Sequence, residues 1–145
     1  MAIYRPRRAR WPFVVAGFVV GVAVGLGIAA AALGDRPRDL DEASARIEAA
    51  LTRAAGLLEV VEIEYREAVV DGQVVRETEL EGARDALRRS RAEYDAVRGP
   101  LGRVAPERSA AIDAGYERLG SLVEARAPAT EVAAEAEALR RLLAG

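Results

Sequence analysis

The chain has 145 residues, a formal net charge of −2 and 51% hydrophobic residues, with no cysteine, no histidine and no lysine. Lack of cysteine excludes disulfides, thiolate nucleophiles, thioether-attached haem and Cys-type zinc sites, and lack of histidine removes the commonest metal ligand and general base. A Ser-His-Asp triad or a His-ligated zinc cannot be built from this chain, so its remaining chemistry rests on carboxylate, Tyr, Ser, Thr and Arg.

The first element in chain order is an apolar run. Arg5, Arg7, Arg8 and Arg10 precede it, Trp11 opens it, and Pro12 to Leu33 is 22 residues without a charge. As a helix that stretch is roughly 33 Å long, against a hydrocarbon core of about 30 Å. The arginines all lie on one flank, so the positive-inside rule places the N-terminus in the cytoplasm and everything after Asp35 outside. A cleaved signal peptide is the alternative, since Arg7-Arg8 is twin-arginine-like and Ala29 to Ala32 offers small residues to a peptidase; the length of the run favours a retained anchor. Gly17, Gly21, Gly25 and Ala29 recur every fourth residue and give one helix face small side chains. Such a face suits a homodimer or docking on a larger membrane partner, although glycine is also simply common in membrane helices. The reading is a single-pass protein of the cytoplasmic membrane. It has a basic cytoplasmic tail (1–10), an anchor (11–34), a linker (35–41) and an extracytoplasmic part (42–145).

All 23 acids follow the run, together with 17 of the 21 basic residues. An outward-facing part with six more acids than bases is a poor partner for nucleic acid, which asks for a basic patch. Its periodicity is helical. A first helix is expected from near Asp41, with Ile47, Leu51, Ala54, Leu58, Val61, Tyr65 and Ala68 as its apolar stripe, ending at Asp71-Gly72. A second starts at Arg76 to Thr78 and buries Leu80, Ala83, Leu87, Ser90, Tyr94 and Val97 before Gly99-Pro100 ends it. A third opens near Pro106 with Ile112, Tyr116, Leu119 and Val123 inward. Pro128 separates it from a fourth, whose stripe is Val132, Ala136, Leu139 and Leu143. Val74-Val75 is a strand-like scrap too short for a sheet. The expected fold is all-α: one N-terminal transmembrane helix, then a small antiparallel bundle of about four helices. Its core is thin and alanine-rich, and Tyr65, Tyr94 and Tyr116 are expected to pack with their hydroxyls at the rim.

Acidic residues gather around the first interhelical turn. Glu62, Glu64, Glu67 and Asp71 close the first helix, and Glu77, Glu79 and Glu81 open the second. The second group suits the positive end of a helix dipole, whereas Glu67 and Asp71 repel each other and oppose theirs. Glu64, Glu67, Asp71 and Glu79 are therefore candidate ligands for iron or another hard cation such as Ca²⁺, with a solvated acidic face as the alternative. Arg66 and Arg76 lie near enough to neutralise part of the cluster. Arg84, Arg88 and Arg91 line one face of the second helix, where Glu81, Asp85 and neighbouring surface residues are their expected partners. Nothing supplies an aromatic cleft for a sugar or an apolar pocket to raise a carboxyl pKa, so no enzymatic activity is expected.

The stretch from Glu59 to Val75 carries a resemblance. Its Glu64-Tyr65, Ala68-Val69, Asp71-Gly72 and Val74, followed by Glu79, are similar to a helical segment outside the membrane in bacterial high-affinity iron permeases. The resemblance covers Leu57 to about Val97. The Arg-Glu-x-x-Glu motif of the permease itself is missing, because Leu80 stands where the second acid belongs after Arg76-Glu77. What the resemblance implies is a free-standing accessory domain that works with a multi-pass permease, with Tyr65, Asp71, Gly72 and Glu79 as the positions carried over. Three roles follow: an accessory module linked to iron uptake, a structural cell-envelope bundle that binds another protein and no metal, or a cation sensor or buffer.

Overall fold

Local sequence starts the first helix earlier than its apolar stripe does. In the computed structural model, which describes residues 36–145 with side chains from Leu40 onward, helix α1 runs over Arg36–Ala68. The expected linker at 35–41 is thus helical from Arg36. Pro37 is tolerated in a first helical turn, where its missing N–H has no partner to lose. The expected tail and anchor, with Gly17, Gly21, Gly25 and Ala29, lie outside the described residues. Among the described residues no helix is long and apolar enough to cross a membrane.

The end of α1 differs from expectation. The helix stops at Ala68 and a two-residue antiparallel hairpin follows, β1 (Val69–Val70) and β2 (Gln73–Val74), with Val69 opposite Val74 and Val70 opposite Gln73. Asp71 and Gly72 both take positive φ, +50° and +74°, the pattern of a type I′ hairpin turn. The Asp-Gly pair thus turns a strand and does not stop a helix. The Ala68 carbonyl, left free by the last helical turn, accepts from the N–H groups of Val75 (2.8 Å) and Arg76 (3.3 Å). Gly72→Val should cost about 2 kcal/mol because a β-branched residue is strained at this φ, whereas Gly72→Asn should cost little; chemical denaturation checks both.

Helix α2 spans Glu77–Val104 and carries through Gly99-Pro100, where the sequence predicts an end. Proline removes one ladder bond there, but Leu101 beyond it is buried and its carbonyl accepts from the Ala105 N–H at 2.7 Å. Core burial holds the last turn against the local cost. Helix α3 spans Pro106–Glu124 and helix α4 spans Ala129–Ala144. Between them Arg126 sits at φ +56°, while its N–H reaches the Val123 carbonyl (3.3 Å) and the Ala127 N–H reaches that of Leu122 (3.0 Å). That is a Schellman ending with arginine in the position usually given to glycine, and Pro128 follows it.

Residues Ala43–Gly145 form one compact unit, a four-helix bundle. Cross-links between successive helices fix its antiparallel course. Ser90 Oγ donates to the Ala54 carbonyl (2.8 Å) and Arg53 meets Glu93 (2.8 Å) between α1 and α2. Tyr94 meets Ser109 between α2 and α3, Arg118 meets Glu135 (2.9 Å) between α3 and α4, and Arg140 closes the ring on Glu59 of α1 (2.9 Å). The four predicted stripes are the faces that become core; Ile47 and Leu87 are the two members only partly buried.

The tyrosines depart from expectation. Tyr94 and Tyr116 carry their hydroxyls into the core, not to its rim. Tyr94 donates to the Ser109 carbonyl (3.0 Å) and pairs with Ser109 Oγ (2.8 Å), while Tyr116 lies 2.8 Å from Ser90 Oγ. Tyr116 donates as well to the Ser90 carbonyl at 3.1 Å, so the Ser90 Oγ–Tyr116 contact belongs to a small network that ends on the Ala54 and Ser90 carbonyls. The two rings stack at 5.6 Å, and the Arg91 guanidinium covers both. Among the described residues no buried side-chain polar atom lacks a partner. Burial is the main cause that pushes the Tyr116 phenol up to about 12. The unfolded chain loses that proton near pH 10, so the stability tied to it is complete below pH ~10 and is lost as pH rises toward the folded value. The melting temperature should fall over that alkaline window, and Tyr116→Phe should make the fall shallower.

Candidate functional site

All the residues carried over from the resemblance come together at one end of the bundle, around the hairpin. Tyr65 lies in the last turn of α1, almost wholly buried, and donates its hydroxyl to the Ala127 carbonyl at 2.8 Å. It thereby ties α1 to the α3–α4 turn. Burial raises its pKa, with Arg84 and Arg126 nearby pulling the other way, so at neutral pH it is a hydrogen-bond donor. Gly72 faces the same turn: a Cβ placed there would lie 4.0 Å from the Arg126 carbonyl oxygen. A recess of about 400 Å³ runs between the hairpin and the start of α4, bounded by Arg66, Asp71, Pro128 and Thr130.

The four candidate ligands are neighbours without forming one ligand set. Glu67 accepts from the Arg76 guanidinium at 2.9 Å, and Glu79 lies 3.8 Å from the same nitrogen. Arg76 therefore occupies the position from which a cation would bridge these two carboxylates. Glu64 lies along α2, its Oε2 3.2 Å from where a side chain on Gly82 would begin. Asp71 is exposed at the hairpin tip. Among the described residues no group of three or more carboxylates is placed to hold a metal ion, and neither Glu64 nor Asp71 has an ion-pair partner. As placed, the four carboxylates form an acidic surface in which the single Arg76 guanidinium is shared by Glu67 and Glu79.

Sequence proximity named Arg66 and Arg76 correctly as neutralising charges, since Arg66 pairs with Glu62. It missed two residues that build this end, Arg126 and Ala127, for which the only local signal was Pro128. Distance in sequence also misled for Arg84, which reaches Glu124 of α3 at 3.2 Å and not Glu81. Arg88 and Arg89 share Asp85 (3.0 and 2.7 Å), and Arg91 meets both Asp95 (3.1 Å) and Asp113 (3.2 Å).

The arrangement is an acidic surface at one end of the bundle, interrupted by the Arg76 guanidinium. What it can do chemically is attract cations and present a shaped, charged end to another molecule. The model of one protein family, described as the iron permease-associated 4-helix bundle domain, matches residues 41–144. That span takes in all four helices from early α1 to the last residue of α4. No curated protein and no solved structure matches the chain.

Proposed function

The chain belongs to the family of iron permease-associated 4-helix bundle domains, and from that membership we propose that it serves an iron permease system as a membrane-anchored, non-enzymatic accessory module. In this reading the arginine-flanked apolar run holds the chain in the cytoplasmic membrane, N-terminus inside, and the bundle stands outside beside a multi-pass permease. The observation that carries the reading is the family match over 41–144, the whole length of the helical bundle.

Iron is cargo in this account and not a resident cofactor. The acidic end around Glu64, Glu67, Asp71 and Glu79 raises the local concentration of cations by its field, without chelating them. Substituting Glu64→Gln with Asp71→Asn should lower uptake when iron is limiting and leave it unchanged when iron is saturating.

The test is radioactive iron uptake by cells that lack the chain. Uptake under iron limitation should fall and should return with the full-length chain, but not with a chain whose segment 11–34 is deleted. Unchanged uptake accompanied by a fragile envelope would overturn the reading in favour of a structural envelope protein.

A further inference from the structure

Support for the hairpin stops at Val69. That residue is 2% exposed, and behind it the Ala68 carbonyl holds the N–H groups of Val75 and Arg76. Beyond it Val70 is 50% exposed, and Asp71, Gly72 and Gln73 all face solvent. Only the pairing of Val70 with Gln73 closes the turn. A pair of strands two residues long has little stability of its own, so this tip opens at a small part of the cost of unfolding the bundle.

The two residues at the tip react with each other when they are free to move. Glycine carries no side chain to shield its nitrogen, and attack of the Gly72 nitrogen on Asp71 Cγ closes a five-membered ring. The N–H proton and the carboxyl OH leave together as water, and a cyclic imide remains. Water then opens the ring at either carbonyl. Opening at Cγ regenerates aspartate; opening at the main-chain carbonyl leaves Gly72 attached through Cγ. That product is isoaspartate, equal in composition but with one more methylene in the backbone. The folded turn holds the reaction off. Asp71 lies at φ +50°, in the left-handed region, where Cβ stands roughly opposite the next nitrogen across the Cα–C bond.

We propose that Asp71 is a site of isoaspartate formation, protected by the closed hairpin and modified each time the tip opens. The longer backbone cannot return to the same turn, because the match of Val69 to Val74 depends on the two-residue loop. Arg76, which the hairpin folds back onto Glu67 and Glu79 (2.9 and 3.8 Å), then loses its place. The modified chain presents its acidic end without the shared guanidinium. None of this depends on which partner the bundle serves.

The full-length chain, purified in detergent, is incubated at neutral pH beside two references. One is the full-length Gln73→Pro chain, which lacks the N–H that closes the turn; the other is the free peptide Glu67–Arg76, which has no fold to protect it. Trypsin releases the same peptide from the native chain, since Arg66 and Arg76 bound it. Isoaspartate appears as a second peptide of identical mass that an aspartate-specific protease leaves uncut. The free peptide should convert fastest, the Gln73→Pro chain severalfold more slowly, and the native chain severalfold more slowly again. Gly72→Asn in the native chain, which keeps the turn and shields the nitrogen, should suppress the second peptide. Equal rates in native chain and free peptide, a Gln73→Pro chain no faster than the native one, or no isoaspartate in the native chain once most of the free peptide has converted would each overturn the proposal.

Discussion

Tyr94→Ala is expected to destabilise the bundle by about 4 kcal/mol, the scale of emptying an aromatic position in a core. Tyr94 is fully buried, stacks on Tyr116 at 5.6 Å, and places its hydroxyl against both polar groups of Ser109. Truncation removes the ring contacts, opens a cavity that α2 and α3 cannot close, and leaves Ser109 short of its partner. In a domain of this size such a loss lowers the melting temperature by roughly 15–30 °C. A bundle with only three large aromatic residues in its described core has little else to absorb it. Tyr94→Phe separates the two contributions: it keeps the ring, loses the hydroxyl bonds, and should cost about 1–2 kcal/mol. Paired thermal and denaturant melts of the two variants measure the difference. Equal losses would mean that the hydrogen bonds, and not the ring, hold α2 to α3.

Gly115→Val should be the second most damaging substitution, at about 3 kcal/mol, through overpacking. At Gly115 the backbone of α3 comes so near α4 that a Cβ would lie 2.9 Å from Leu139 Cδ1 and 3.7 Å from Leu139 Cβ. Leu139 is fully buried and has no free side to move to. Even an alanine would force it to shift, and valine adds two more methyl groups against the same side chain. Leu139→Ala on its own opens a cavity and should also cost a few kcal/mol. The two changes are expected to compensate, with the double variant more stable than the sum of the single losses predicts by about 1–2 kcal/mol. Simple additivity would place the strain elsewhere than between these residues.

Helix faces were legible because burial follows the 3.6-residue period directly: from Leu51 to Leu143 the apolar stripes are the core. Family membership was also legible, on the short pattern from Glu64 to Glu79. Endings were harder where local and tertiary terms oppose each other. Pro100 is a local stop signal, but the burial of Leu101 outweighs it. Asp71-Gly72 serves as helix stop or hairpin turn, and the choice lies with Val69 pairing to Val74, a matter of which backbone groups meet. Partners were least legible. Periodicity placed Ser90 and Tyr116 inward but could not tell that they would bond each other across helices. The same blindness made four nearby acids look like a ligand set, when Arg76, folded back by the hairpin, stands between Glu67 and Glu79. Sequence proximity reports charge density, and only the turn geometry decides whether a metal or an arginine sits at its centre.

The claim at the centre of this account is that the bundle works beside an iron permease. Chemical cross-linking of the tagged full-length chain in native membranes, followed by purification and mass spectrometry, tests it most directly. The account predicts a multi-pass iron permease as the principal cross-linked partner, with linked peptides from the permease's outward-facing segments. Recovery of envelope structural proteins with no permease among them would contradict it.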